Sequence, residues 1–356
     1  MHQARIHDGR KRTLRRASLC VLCLYWSLDI VSCGADQGPM RRDGVRGDSA
    51  PPKQHLVSLL VSANRRGSSR DPVSPKVTPA KDLEIPLKAE RLRRRRIFRR
   101  SLRIDGLRGP DHVDLFVENL TGHTITLTMD ISFKNLESTQ TLPLTAVLAA
   151  KERKKVTRLN PVEGSASYRF RYRYQVDMLP GKAKAIPDKG YVYALPYRPG
   201  KAHWVVQGYG GKFTHQGRSR YSVDFAMPEG TPIYAAREGI VAETRMDSNE
   251  SGTTDEYREL ANYVIIEHPD GTWAEYYHLR ENGVEVKVDE EVQRGQLIGY
   301  SGNTGYSKIP HLHFAIRKTM SGKVSSTIPV RFNTSQGILS RLKPNRWYRA
   351  ADPAVE

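Results

Sequence analysis

The chain has 356 residues, 38% of them hydrophobic, with a formal net charge of +19 and a pI near 9.9. That is room for two or three domains with ordinary cores, and the basic balance points to anionic partners. Cys20, Cys23 and Cys33 are the only cysteines and all lie in the first tenth, which excludes disulfides and thiolate metal sites from the body of the chain.

Residues 1–35 read as an export signal. Arg10, Lys11, Arg12, Arg15 and Arg16 form a basic leader, and the apolar stretch from Ala17 to Leu28 is too short to span a bilayer comfortably. Ile30-Val-Ser-Cys33 resembles a bacterial lipobox, in which Cys33 carries a lipid; cleavage after Cys33-Gly-Ala35 is the competing reading. The protein is therefore expected in the cell envelope (the periplasm), with lipid anchoring through Cys33 left open. Residues 36–110 are poor in aromatics and rich in Arg, Ser and Pro, a composition that buries too little apolar surface to offset chain ordering. They are expected to be a basic linker of low order. Nine arginines fall between Arg91 and Arg108. They read as a solvated tether or as a docking patch for anionic envelope polymers or a lipid surface. Nucleic acid is disfavoured, because no nucleic-acid module accompanies the patch.

From 111 to 195 apolar and polar residues alternate, as in Asp114-Leu-Phe-Val-Glu-Asn119, 124–131 and 168–174, with turns at Asn119-Leu-Thr-Gly122 and Pro180-Gly181. Period two with such turns predicts a small antiparallel β-sandwich, an accessory domain that positions or occludes. Residues 196–328 are again β-rich, with short strands between Gly, Asp and Asn turns. The polar stretch from Met246 to Leu260 reads as an exposed insertion, and Gly302-Asn-Thr-Gly305 as a turn aiming the histidines after it. Beyond Ile328 no pattern stands out, and 329–356 is expected to be a C-terminal extension. The fold class is thus mainly β.

Five residues of the 196–328 region carry chemistry. They are His215 in Phe213-Thr-His215, Asp224 in Tyr221-Ser-Val-Asp224-Phe225, His278 in Tyr276-Tyr-His278-Leu279, and His311 and His313 in Pro310-His311-Leu-His313-Phe314. Two imidazoles and a carboxylate make a three-ligand set that leaves a fourth tetrahedral position open, the arrangement of catalytic zinc. On a strand, His311 and His313 project from one face while Leu312 faces the core. One histidine of the pair can then bind metal while the other stays free for proton transfer. His123, His203 and His268 lack such context and read as surface or satisfied core residues.

These motifs, together with the runs Asp224 to Val241 and Glu291 to Tyr306, resemble the lysostaphin-type (LytM-like) zinc metallopeptidases that cut the peptide part of bacterial peptidoglycan. The resemblance covers roughly 196–320. It implies a C-terminal antiparallel β metallopeptidase domain with one Zn2+ per chain, held by His215, Asp224 and His313, and catalysis by His278 and His311. One departure is the nine-residue step from His215 to Asp224, wider than in many members, so 216–223 reads as a loop insertion. The implied function is endopeptidase cleavage of peptidoglycan cross-links in wall remodelling or lysis. Two alternatives stand beside it: a non-enzymatic activator of cell-wall hydrolases, and an exported protease acting on proteins.

Overall fold

A computed structural model of the chain describes residues 28–30, 100–163 and 172–352. Apart from residues 28–30, the segment expected to be an export signal with a lipobox lies outside the described residues, as do Arg91 to Arg99 and positions 168–171 of the third alternating segment.

The first body is a sandwich of two four-stranded sheets. One orders Leu102–Arg108, Val113–Asn119, Arg153–Pro161 and Leu136–Ser138; the other orders Leu28–Ile30, Tyr172–Pro180, Ile125–Phe133 and Leu144–Leu148. The alternation of Val113–Asn119 does what period two requires. Val113, Leu115 and Val117 are buried against Leu127, Met129, Leu159 and Val176 between the sheets. The low-order linker expected over 36–110 does not extend to its predicted end: Leu102–Arg108 is a strand paired residue for residue with Val113–Asn119. Arginine density hid it. Leu102 alone is fully buried, Ile104 is partly so, and the exposed Arg103 pairs with Glu118 at 2.8 Å. Two of the nine clustered arginines, Arg103 and Arg108, therefore belong to the sandwich.

The second body is built on one large antiparallel sheet. Across its middle the order is Gly239–Arg245, Asn262–Glu267, Trp273–Val284, His311–Ser321, Ser222–Ala226, Ala202–Gln207 and Arg346–Arg349. Its two faces differ. Leu312, Phe314 and Ile316 alternate onto one face, where they meet Val223, Phe225, Tyr276, Val264 and Ile266 in the main core. The intervening His311, His313, Ala315 and Arg317 take the other face beside Asp224, Glu275 and Tyr277. The C-terminal extension is not loose. Arg331–Thr334 pairs with Val192–Ala194, and Arg346–Arg349 closes the sheet against Ala202–Gln207, with Phe332, Leu342 and Tyr348 joining the core.

The sandwich docks on the hairpin tips of this sheet. Thr319 Oγ1 donates to the Pro180 carbonyl at 2.6 Å, Gly322 N–H to Thr128 Oγ1 at 2.9 Å, and Lys182 N–H to the Gly271 carbonyl at 3.1 Å. The strand His311–Ser321 thus carries the site residues at one end and the domain contact at the other, roughly 30 Å away at strand rise. Among the described residues, none of the sandwich lines the groove over the site, so occlusion by this domain does not occur in this arrangement.

Candidate metal centre

Asp224 and His313 face each other on neighbouring antiparallel strands, with Asp224 Oδ1 2.9 Å from His313 Nδ1. His215 enters from the loop after Gln207, its Nε2 3.1 Å from the same oxygen, and is fully buried. The ligand atoms of these three residues lie within 4.8 Å of one another. The wide His215–Asp224 step is taken up by a short 3-10 turn, Gly217–Ser219, before the strand Ser222–Ala226 begins.

The outward nitrogens fix which ring atoms are left for a metal. His215 Nδ1 lies 3.0 Å from the Gly208 carbonyl, and a carbonyl only accepts, so the proton sits on Nδ1 and Nε2 keeps its lone pair. His313 Nε2 points at Glu275 Oε1, 3.4 Å away, which leaves Nδ1 turned inward. Glu275 is itself held by the fully buried Arg317 at 2.9 Å. Gln207 Nε2 donates to Asp224 Oδ2 at 3.0 Å, freeing Oδ1 for the site. Each inward donor therefore has an outer partner that orients it, the pattern of protein metal sites. Two imidazole nitrogens and one carboxylate oxygen fit zinc by donor type.

The field agrees. Burial pushes the Asp224 carboxyl up, yet His215 and His313 together hold it well below the usual carboxylate range. Burial likewise lowers His313, but Asp224 and Glu275 on either side override it and push the ring up to about 9. A buried spot that holds a proton so firmly between two carboxylates favours a cation.

His278 reaches the site through a defect in the sheet. Asn262 pairs with Leu279 and Tyr263 with Tyr277, so His278 is the unmatched residue of a β-bulge, at φ +69. Such left-handed backbone costs on the order of 1–3 kcal/mol for a side chain of this size. Strict alternation would have sent Tyr277 and His278 to opposite faces; the bulge brings the imidazole to 4.6 Å, ring to ring, from His311. His278 Nδ1 is 2.6 Å from the Thr304 carbonyl and His311 Nδ1 is 2.8 Å from that of Ile309. Both rings thus carry their proton on Nδ1 and present a bare Nε2. Burial holds both below the ordinary imidazole value, with His311 and His313 pressing His278 down further.

The Gly302–Gly305 turn does position histidines, as its sequence suggested, but they are His278 and His311. Thr304 binds His278, and Gly302 bridges to His311. Gly305 has φ +80, and a Cβ there would meet Ala261 Cα at 2.6 Å, so only glycine fits. The Met246–Leu260 stretch is not simply exposed. Ser251–Gly252 pairs in parallel with Gly305–Tyr306, and Tyr257 and Leu260 are buried beneath it. Together these loops enclose a groove of about 420 Å³ lined by Asp224, His278, His311 and His313, with His215 buried behind it, Phe213 and Ile309 on its rim and Arg258 stacked on Tyr306. The three histidines set aside as lone residues stay away from it. His268 and His203 bind the carbonyls of Glu238 and Ala226, and His123 pairs with Asp289 at 3.1 Å. Sequence reading missed Gln207, Glu275 and Arg317. Glu275 shares a strand face with Tyr277, a signal that becomes readable only once the register with His313 is known.

The sequence profile of peptidase family M23 matches residues 218–326, beginning just after His215. The peptidoglycan DD-endopeptidase ShyA of Vibrio cholerae serotype O1 is 41% identical over 93 residues, 26% of this chain and 19% of its own length. The glycyl-glycine endopeptidase ALE-1 of Staphylococcus capitis is 34% identical over 122 residues, 34% of this chain and 31% of its own. The catalytic domain of lysostaphin from Staphylococcus simulans aligns at 31% identity over 36% of this chain and 87% of its own, with a TM-score of 0.26. The chain spans less than a third of the length of these curated relatives. Residues 218–326 form a peptidase family M23 domain.

Proposed function

We propose that this chain is a zinc-dependent endopeptidase that hydrolyses peptide cross-links of peptidoglycan, acting in the cell envelope. The observation that carries the reading is the pairing of two distinct sets at one groove. His215, Asp224 and His313 converge to hold a metal, and His278 and His311 stand beside them with bare Nε2 atoms. A non-enzymatic activator needs neither set. Two of the relatives are a peptidoglycan DD-endopeptidase and a glycyl-glycine endopeptidase, and the basic charge of +19 suits an anionic wall.

Zinc held by His215, Asp224 and His313 would supply Lewis acidity, polarising a carbonyl and lowering the pKa of water. The chain's own groups do the rest. His311 Nε2 takes the proton of the attacking water, its Nδ1–H anchored on the Ile309 carbonyl so that the ring keeps its aim. His311 then returns that proton to the leaving amine, while His278, anchored in the same way on Thr304, stabilises the charge on the carbonyl oxygen only once its bare Nε2 has itself taken up a proton. Both rings are neutral near pH 7 because burial depresses them, which suits a base. Gln207 and Glu275 keep the ligands oriented.

The test is digestion of soluble cross-linked muropeptides followed by mass spectrometry. Conversion of dimers to monomers is the expected result. Release of glycan reducing ends with all peptides intact would overturn the reading, and digestion of casein with cross-links untouched would move the substrate to proteins.

A further inference from the structure

The groove face of the sheet does not end at the metal centre. Four residues lie in register across four neighbouring strands. His311 stands opposite Ala226, Ala226 opposite Trp204, and Trp204 opposite Trp347. All four side chains therefore share one face at one level. Strands lie about 4.8 Å apart, so the two indoles stand roughly 10 and 15 Å from His311, measured straight across the sheet. Ala226, between the imidazole and the first indole, leaves the floor low there.

The indoles are placed at the surface. Trp347 is 61% exposed and Trp204 is partly buried, and they meet edge to face with ring centroids 5.8 Å apart. That contact uses an edge, so a broad face of Trp347 stays open to solvent. Other residues on this part of the face are Val206, 39% exposed, and Ala202 and Arg349. Val206 also lines the catalytic groove, which makes the tryptophan shelf continuous with it.

We propose that Trp204 and Trp347 form a stacking subsite for the glycan strand that bears the peptide being cut. The inference rests on the peptidoglycan reading above. Pyranose rings present flat C–H faces that pack on indoles, and their hydroxyls accept from arginine, which Arg349 supplies at the next same-face position of its strand. An extended peptide covers about 3.4 Å per residue. The 10 to 15 Å between His311 and the indoles is thus three or four residues, the reach of a short stem from its sugar to a bond near its end. A lipid surface or a protein partner would need a broader apolar patch; here the neighbours are one valine, an alanine and an arginine.

Intrinsic fluorescence tests this, because the chain has only four tryptophans and one of the others, Trp273, is buried in the core. Peptide-free glycan strands, prepared by amidase treatment of sacculi, are titrated into wild type, Trp347→Ala and Trp347→Tyr. Wild type should quench on binding, Trp347→Ala should bind about tenfold more weakly or worse, and Trp347→Tyr should recover most of the loss. Hydrolysis of a small cross-linked muropeptide dimer lacking extended glycan should stay unchanged in Trp347→Ala, while its KM advantage for long glycan-bearing substrate disappears. Equal glycan binding by wild type and Trp347→Ala overturns the subsite. So does a fluorescence response to anionic phosphatidylglycerol vesicles without one to glycan, or a monomer–dimer shift on substitution. Absence of muropeptide hydrolysis by wild type would instead refute the peptidase reading, and the two failures are read in separate assays.

Discussion

The two faces of the sheet strand His311–Ser321 are both buried, yet they are buried by opposite means. Leu312, Phe314 and Ile316 lie in a continuous apolar core and need nothing but close packing. On the other face His313 and Arg317 are just as inaccessible, at 2% and 0% exposure, and each is buried only because it has a charged partner. The lesson is that one face stores stability while the other stores orientation. A buried polar row of this kind is a poor way to stabilise a fold, but it fixes donor atoms where a metal needs them.

That contrast can be broken from either side. Phe314→Ala opens a cavity on the apolar face and should destabilise by about 3–5 kcal/mol, measured by urea unfolding, while the folded fraction keeps its zinc affinity. Equal loss of metal would mean that the faces are not separable. His311→Ala and His278→Ala should each lower kcat by about a hundredfold to a thousandfold, or roughly 3–4 kcal/mol, with zinc retained. Retention of wild-type turnover by either variant would remove that histidine from the chemistry.

Glu275→Gln keeps a hydrogen-bond acceptor but deletes the charge behind His313. Zinc affinity should fall about 10- to 100-fold, read by competition with a chromogenic chelator, and an unchanged affinity would make Glu275 merely Arg317's counter-ion. The smallest effect lies at the domain junction, where Glu267 Oε2 accepts from the Thr124 N–H at 2.7 Å. Burial pushes this carboxyl from 4.5 up to about 7, against the pull of Thr124. A carboxyl raised in the folded state binds more protons folded than unfolded, so stability should decline as pH rises from about 4.5 to 7 and then level off. Glu267→Gln should remove that decline and stabilise the protein at pH 8 by about 1–2 kcal/mol. Denaturation at pH 5 and pH 8 checks this, and an identical pH slope in the two proteins would contradict it.

How much of this was legible in the sequence follows from the same contrast. Period two alone announced both β-bodies and placed Leu312 in the core between two site histidines, because strand alternation is a local rule. The five candidate site residues stood out because each lies in its own ordered motif. Long-range partners were not. Glu275 and Gln207 become significant only through strand register, and Trp204 meets Trp347 across 143 residues of chain. The bulge at His278 breaks the alternation that made the rest readable. Leu102–Arg108 was hidden by arginines that face solvent, and the 246–260 stretch by a polar composition that covers a buried Tyr257 and Leu260.

The central claim is that His215, Asp224 and His313 hold a metal while His311, on the same face two residues from His313, does not. Zinc analysis of purified wild type, His313→Ala and His311→Ala tests it most directly. The account predicts about one zinc per chain in wild type and His311→Ala, and little or none in His313→Ala, since two remaining ligands bind zinc poorly. Zinc kept by His313→Ala and lost from His311→Ala would contradict it.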